Sequence, residues 1–450
     1  MKTLMSSPAR ELGLKLKEKL ILGSGTTLIS FVGDLPEIDL GELHALLVVD
    51  AKADLPARNR VLRVGPEDSL EAKAYPFLVV NGHRYQIVVP RDLEPHRKVR
   101  LDSLLHFLRS SGINISTVRA FGELFSENII RNIPEICRAL SVKDLQGKLK
   151  GIPAILIASG PSLNEAIPAL KDFQDKSVLI AADSLISFLP AAGIEPLFYV
   201  TVDPQKATHD KINGSTSNAI LFFHPAVFHL IPREWQGPLL TTSTRMAPYQ
   251  ILQLPYHGHV EEDVQCQMHL AFNLASWMGC DPIILVGQDL CYHGEKLYAD
   301  GAQYIKGEDV ERVLRGTFEA KNVRGEIVQT TTVFESYRTT YERKIRAFPG
   351  RVFNATEGGL NIVGAENTTL EALLSGCSEY KSIPFGEMKE IDEILTIIHA
   401  LRPQSLSMSK TRLTYLNDCL MVAMGVLPGE EKLLNMVRAV QETLGRIGPD

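Results

Sequence analysis

The stretch AILIASGPSLNEA, Ala154 to Ala166, decides the fold. An apolar run stops at Ser159-Gly160-Pro161-Ser162, and a helix-forming run follows. This is the pattern of a buried strand turning into a helix. The pattern repeats outward. PAILIA, SVLIAADS, PLFYVTVDP, NAILFFHP and PIILVGQDL read as strands, with SLNEAIPALKDF and LISFLPAAG as helices between the first three. VQCQMHLAFNLASWMG spaces Val264, Met268, Phe272, Ala275 and Met278 near the helical period. Near-continuous apolar strands alternating with helices predict a parallel sheet covered on both faces.

Composition is that of an ordinary globular protein. Of 450 residues, 45% are hydrophobic and 22% charged, and at about 150 residues per domain the length suggests three domains. The net charge of −6 carries no nucleic-acid footprint. The N-terminal segment MKTLMSSPARELGLKLKEKLILGSG scatters its charges, and no run of about 18 apolar residues occurs. The expectation is a cytoplasmic protein without a membrane span. The six cysteines include no C-x-x-C pair, which predicts buried thiols rather than a zinc ribbon or redox pair.

ALLVVDA, RNRVLRVG, YPFLVVNG and YQIVVP read as short strands, and Ser103–Gly112 as a helix closed by its glycine. The domains expected are an N-terminal α/β domain at 1–115, a Rossmann-type core at 116–380 and a helical C-terminal region at 381–450. Within the core, FEAKNVRGEIVQTTT reads as a hairpin around Arg324-Gly325. FESYRTTYERKIRAF reads as an amphipathic helix. In the last region, Leu433, Val437, Val440 and Leu444 form one stripe.

Open parallel sheets bind ligands beyond the carboxyl ends of their strands. Those ends carry Ser159-Gly160-Pro161-Ser162, then Asp183-Ser184, Asp203, His224 and Gln288-Asp289. Five polar endings in succession point to a site. The Gly160 turn lacks the three glycines of a dinucleotide fingerprint and the Lys-Ser/Thr of a P-loop. Anion binding needs only free amides at a helix start and close backbone approach. Gly160 supplies the approach, Pro161 suits the first helical position, and Ser162 would then face a phosphate. A plain capped turn is the alternative.

NIIRNIPEI…LQGKLKGIPAILIASGPSLNEAIPAL, IAADSLISFLPAAGIEPLFYVTVDP and GCDPIILVGQDLCY together resemble the MptE-like family over roughly Asn128 to Tyr292. That family includes archaeal 6-hydroxymethyl-dihydropterin diphosphokinases. It also includes the bacterial motility accessory factors, held to transfer sialic-acid-like nonulosonic acids to flagellin. The Gly-Pro-Ser-Leu turn is also similar to that of bacterial sialyltransferases. FNATEGGLNIVG, Phe353–Gly364, resembles a Thr-Glu-Gly-Gly segment of the accessory factors. Accessory factors tend to carry a His before Ala-x-Gly after the Gln-Asp pair, where this chain has Tyr298.

The resemblance implies transfer of a nonulosonic acid from a CMP donor to Ser/Thr of flagellin or another protein. In that reading Ser159, Gly160, Pro161 and Ser162 hold the phosphate. Asp183, Ser184 and Asp203 bind ribose or base, and Gln288, Thr356, Gly358 and Gly359 line the site. Asp289 and Glu357 are candidate general bases, with His224 behind them. His224 equally fits a satisfied histidine at a sheet edge, and Glu357 a turn that binds sugar hydroxyls. No D-x-D occurs, which favours a CMP-sugar without metal or cofactor over an Mg²⁺-dependent diphosphokinase. That diphosphokinase and a non-catalytic nucleotide-binding assembly factor are the alternatives. Arg338, Arg343, Lys344, Arg346 and Arg351 either steer an anionic donor or form a solvated face.

Overall fold

The structure, a computed structural model, describes residues 2–5, 27–31, 45–49, 61–74, 85–89, 94–212, 217–251, 254–294, 296, 298–302 and 316–374. The predicted strand YPFLVVNG and the predicted helical region 381–450 lie outside these residues. The chain divides into two compact units, Met1–Ala120 and Phe121–Asp450.

In the first unit, β1 (Lys2–Met5), β2 (Thr27–Ser30), β3 (Ala45–Val49), β4 (Val61–Val64) and β5 (Tyr85–Val89) form one sheet. Its order is β1-β5-β2-β3-β4, with only the β1–β5 pair antiparallel. Ile29, Leu47 and Ile87 are buried in its core with Leu101 and Leu104 of helix α1 (Pro95–Arg131). The helix predicted to close at Gly112 runs through it. One interior glycine costs about 1 kcal/mol, too little to end so long a helix.

The second unit holds a nine-stranded sheet in which every pair is parallel. Its main strands are β7 (Ala154–Ile157), β8 (Val178–Ala182), β9 (Phe198–Thr201), β10 (Ile220–Phe223), β11 (Leu239–Thr241) and β12 (Ile283–Val286). β6 (Leu140–Ser141), β15 (Val352–Asn354) and β16 (Glu366–Asn367) complete it. The intervening β13 (Phe318–Lys321) and β14 (Ile327–Thr330) form the predicted hairpin. β6, β11 and β16 are not among the expected strands, because runs of two or three residues can be too short for an apolar pattern to register.

Successive side chains of a strand point to opposite faces. Ile155, Ile157, Leu179, Tyr199 and Ile284 therefore join one core with Leu163, Leu170 and Phe173 of helix α2 (Leu163–Phe173). Leu156, Ile180, Val200 and Leu285 join the other core with Met268, Phe272 and Met278 of helix α3 (Gln267–Met278). Tyr341 and Ile345 of helix α4 (Thr332–Ala347) pack into that second core too. This explains the continuous apolar strands: both faces are covered.

The strand order is β16-β15-β12-β7-β8-β9-β10-β11-β6. The chain winds from β7 in one direction through β11, then returns to place β12 on the other side of β7. The topological switch point, where open α/β sheets bind ligands, falls between β7 and β12. This is a Rossmann-like α/β fold. Replacing Leu156, fully buried at its centre, with alanine is expected to cost about 2–5 kcal/mol. A urea titration checks this: the midpoint falls while the slope is unchanged.

Candidate functional site at the switch point

The turn after β7 meets the turn after β12. Gly160 N–H donates to Gly287 O (3.0 Å), and Ala158 N–H to Val286 O (2.9 Å). Gly287 adopts a left-handed φ of 66°, and a Cβ there would lie 2.3 Å from Ala158 O. Leu290 is left-handed as well, at φ 55°, which is uncommon for a residue with a side chain. Between these two reversals, Asp289 is turned back onto the Gly160 turn.

Asp289 is 2% exposed. Its Oδ2 accepts the Ser162 N–H at 3.0 Å and its Oδ1 accepts the Ser162 hydroxyl at 2.6 Å. His293 Nε2 lies 3.1 Å from Oδ2. The amide predicted to hold a phosphate therefore holds this carboxylate. The same physics operates, an anion at a helix start, with the anion supplied by the chain itself. The neighbouring amides are engaged too: Leu163 N–H donates to Gly160 O and Glu165 N–H to Ser162 O. Ser162 does not cap its own helix with its side chain. Pro161 precedes that cap rather than filling the first helical position, since the helix begins at Leu163. Gly160 is required because a Cβ would fall 2.1 Å from Asp289 Oδ1.

The Thr-Glu-Gly-Gly segment closes the other side. Thr356 Oγ1 accepts the Gln288 N–H (3.1 Å), and Gln288 Oε1 accepts the buried Tyr341 hydroxyl (3.1 Å). A Cβ at Gly359 would meet Asp289 Cα at 2.8 Å, and one at Gly358 would meet His293 Cε1 at 2.6 Å. Leu360 N–H donates to Asp289 O (2.9 Å). The hairpin clamps this loop: Val323 N–H donates to Gly359 O (2.9 Å) and Asn322 Nδ2 to Gly358 O (3.3 Å). Arg324 at its tip pairs with Glu357 (3.1 Å) and Glu165 (2.8 Å). Glu357, a predicted base, is thus spent on an ion pair.

Gly160, Ser162, Gln288, Asp289, Thr356, Gly358 and Gly359 are brought together, and Ser159 adjoins them, its carbonyl accepting the Ala299 N–H at 2.9 Å. The other candidates spread along the sheet. Asp183, buried at the end of β8, accepts the Thr201 hydroxyl (2.8 Å), and Ser184 is buried beside it. Asp203 accepts the Gln205 N–H (2.9 Å) in the turn after β9. His224 ends β10, four strands from β12, which at roughly 4.8 Å per strand is about 19 Å away. Its Nδ1 accepts the Ala226 N–H (3.1 Å) and its Nε2 faces Glu261 (3.1 Å). Burial raises the Glu261 carboxyl, but His224, Thr244 and the Arg245 amide bring it below its ordinary value. With both nitrogens engaged, His224 has none to receive a proton at the Asp289 site.

The predicted basic cluster is also largely spent locally. Arg338 pairs with Glu335 and Glu342, Arg343 with Asp263, and Arg351 with Glu366. Lys344 donates to Glu262 O and Asn273 Oδ1. Among the described residues, no group of three or more His, Cys, Asp or Glu side chains is placed to hold a metal. No described helix is long and apolar enough to cross a membrane. Cys137, Cys266, Cys280 and Cys291 are free thiols.

His293 was missed by sequence reasoning. It stands four residues after Asp289, a spacing that signals contact in a helix but not in the irregular turn found here. The hydrogen bond to Asp289 raises its pKa above the ordinary value, against the opposing effect of burial.

Residues 127–295 match the family model described as 6-hydroxymethylpterin diphosphokinase MptE-like. That segment runs from the end of α1 through β12, the Ser162–Asp289 contact and His293. Over that segment the chain is similar to the MptE-like family. The solved structure of the MAf glycosyltransferase from Magnetospirillum magneticum AMB-1 shares the fold at a TM-score of 0.55 and 15% identity. The match covers 93% of this chain and 69% of that one. No curated protein matches the sequence.

Two outcomes are expected from the site. Gly160→Ala should cost about 1–3 kcal/mol through overpacking against Asp289, read from the shift of a urea midpoint. For His293 the folded pKa is raised, so its pairing stabilises fully below its unfolded value near 6.5 and is lost as pH rises through the folded value. Thermal melts of wild type and His293→Gln should therefore differ at pH 5.5 and converge by about pH 9.

Proposed function

We propose that this protein is a nucleotide-sugar glycosyltransferase of the motility-accessory-factor type. The donor is a CMP-linked nonulosonic acid and the acceptor a Ser/Thr hydroxyl of flagellin or another protein. The observation that carries the reading is the built switch point, Ser162 locked to Asp289 beneath the Thr-Glu-Gly-Gly loop, in a fold shared along 93% of the chain with a glycosyltransferase. The donor lies across the carboxyl ends of β7, β8 and β9, where Asp183, Ser184 and Asp203 are candidates for its hydroxyls. Its phosphate lies off the Ser162 amide, because Asp289 already occupies that position and would repel a second anion. The work is assigned to the cytoplasm, where activated sugars are made.

The family description favours a second reading, an ATP-dependent pterin diphosphokinase using Mg²⁺. Thermal shift separates the two. CMP or CMP-N-acetylneuraminic acid should raise the melting temperature, by the equivalent of about 2.7 kcal/mol at a hundred times Kd. Stabilisation by ATP, Mg²⁺ and 6-hydroxymethylpterin, with none from the CMP ligands, would establish the kinase instead.

A further inference from the structure

Asp289 looks like a general base by sequence, yet its position argues otherwise. It is buried, and Ser162 donates to both of its oxygens. A carboxylate so held is poorly placed to receive an acceptor's proton. His293 is differently placed. Its side chain is 28% exposed, its Nε2 faces Asp289 Oδ2, and the ring edge lies against Gly358, where no side chain would fit. Because a carboxylate only accepts, the shared hydrogen sits on Nε2, which leaves Nδ1 with a lone pair. Cys291 Sγ lies 3.8 Å from the same Nε2. Glu326 and Arg324 act on the ring electrostatically from the hairpin, with Arg324 tied to Glu165 and Glu357.

We propose that His293 is the catalytic base and Asp289 its positioning residue, an inference that rests on the glycosyltransferase reading above. The acceptor hydroxyl oxygen bonds to the anomeric carbon of the sugar. The bond from that carbon to the phosphate oxygen breaks, and its electron pair leaves with CMP. The hydroxyl proton passes to His293 Nδ1. Asp289 holds the ring in the required tautomer and stabilises the imidazolium that forms, while Ser162 and the helix start hold Asp289. The Gly358 contact sets the face that the ring presents.

The test uses the full-length protein with CMP-N-acetylneuraminic acid as probe donor and water as the surrogate acceptor, reading CMP release. His293→Gln should lower kcat by about 10²–10⁴-fold with CMP affinity unchanged. Asp289→Asn should lower kcat and also move the acidic limb of the pH profile to lower pH. A fully active His293→Gln overturns the base role alone. A wild-type protein that neither binds CMP nor releases it overturns the glycosyltransferase reading, and the base role falls with it. Nitrogen-15 spectra of the wild-type imidazole give a readout independent of turnover: the Nε2–H tautomer is expected, and an Nδ1–H tautomer overturns the proposal.

Discussion

One buried contact organises the second unit of this protein. The Asp289 carboxylate sits on the amide and hydroxyl of Ser162, joining the turn after β7 to the turn after β12. A buried carboxylate is costly unless its oxygens are satisfied. Here a backbone amide, a hydroxyl and an imidazole converge on it at the start of α2, where the helix dipole favours negative charge. Several otherwise unrelated features follow from that demand. Gly160 has no Cβ because the carboxylate occupies its place, and Gly359 has none because the Asp289 backbone does. The left-handed residues Gly287 and Leu290 aim the side chain back across the sheet.

The contact also ties distant parts of the sequence together. β7 and β12 are adjacent strands far apart in the chain, and β15 adds the Thr-Glu-Gly-Gly loop as a third wall. The hairpin then locks that loop through Val323, Asn322 and Arg324. Each layer is held by backbone hydrogen bonds or by the ion pairs of Arg324 with Glu165 and Glu357. The result is a rigid floor, with His293 at its half-exposed edge. In the glycosyltransferase reading proposed above, such placement would serve proton transfer, whose efficiency geometry governs before pKa does.

Much of this was legible in the sequence, and the reasons differ from element to element. The parallel sheet followed from apolar strands interrupted by helices, a pattern that local side-chain chemistry alone produces. The hairpin at Arg324-Gly325 and helix α4 followed from turn residues and amphipathic spacing. The strand-end residues of the site were named because sheet topology makes those positions special whatever their identity. Gly112 misled because one residue's propensity was weighed without the long helix around it. His224 misled because a strand end looks alike at β10 and at β12, although the two lie about four strand spacings apart.

The sequence by itself determined the strand-and-helix alternation, the Rossmann-like class and the polar strand ends, because each depends on side chains within a few residues of one another. It also marked the Gly160 turn as a place where a helix start meets an anion, expected there to be a phosphate. Only the tertiary structure decided which anion. The nearest one belongs to Asp289, 127 residues beyond Ser162, and no local pattern reports a pairing across that distance. The same holds for His293, whose partner and exposure come from a turn built by two left-handed residues and a loop from β15. Spacing along a chain predicts contact only where the backbone is regular, and this site is made of backbone that is not.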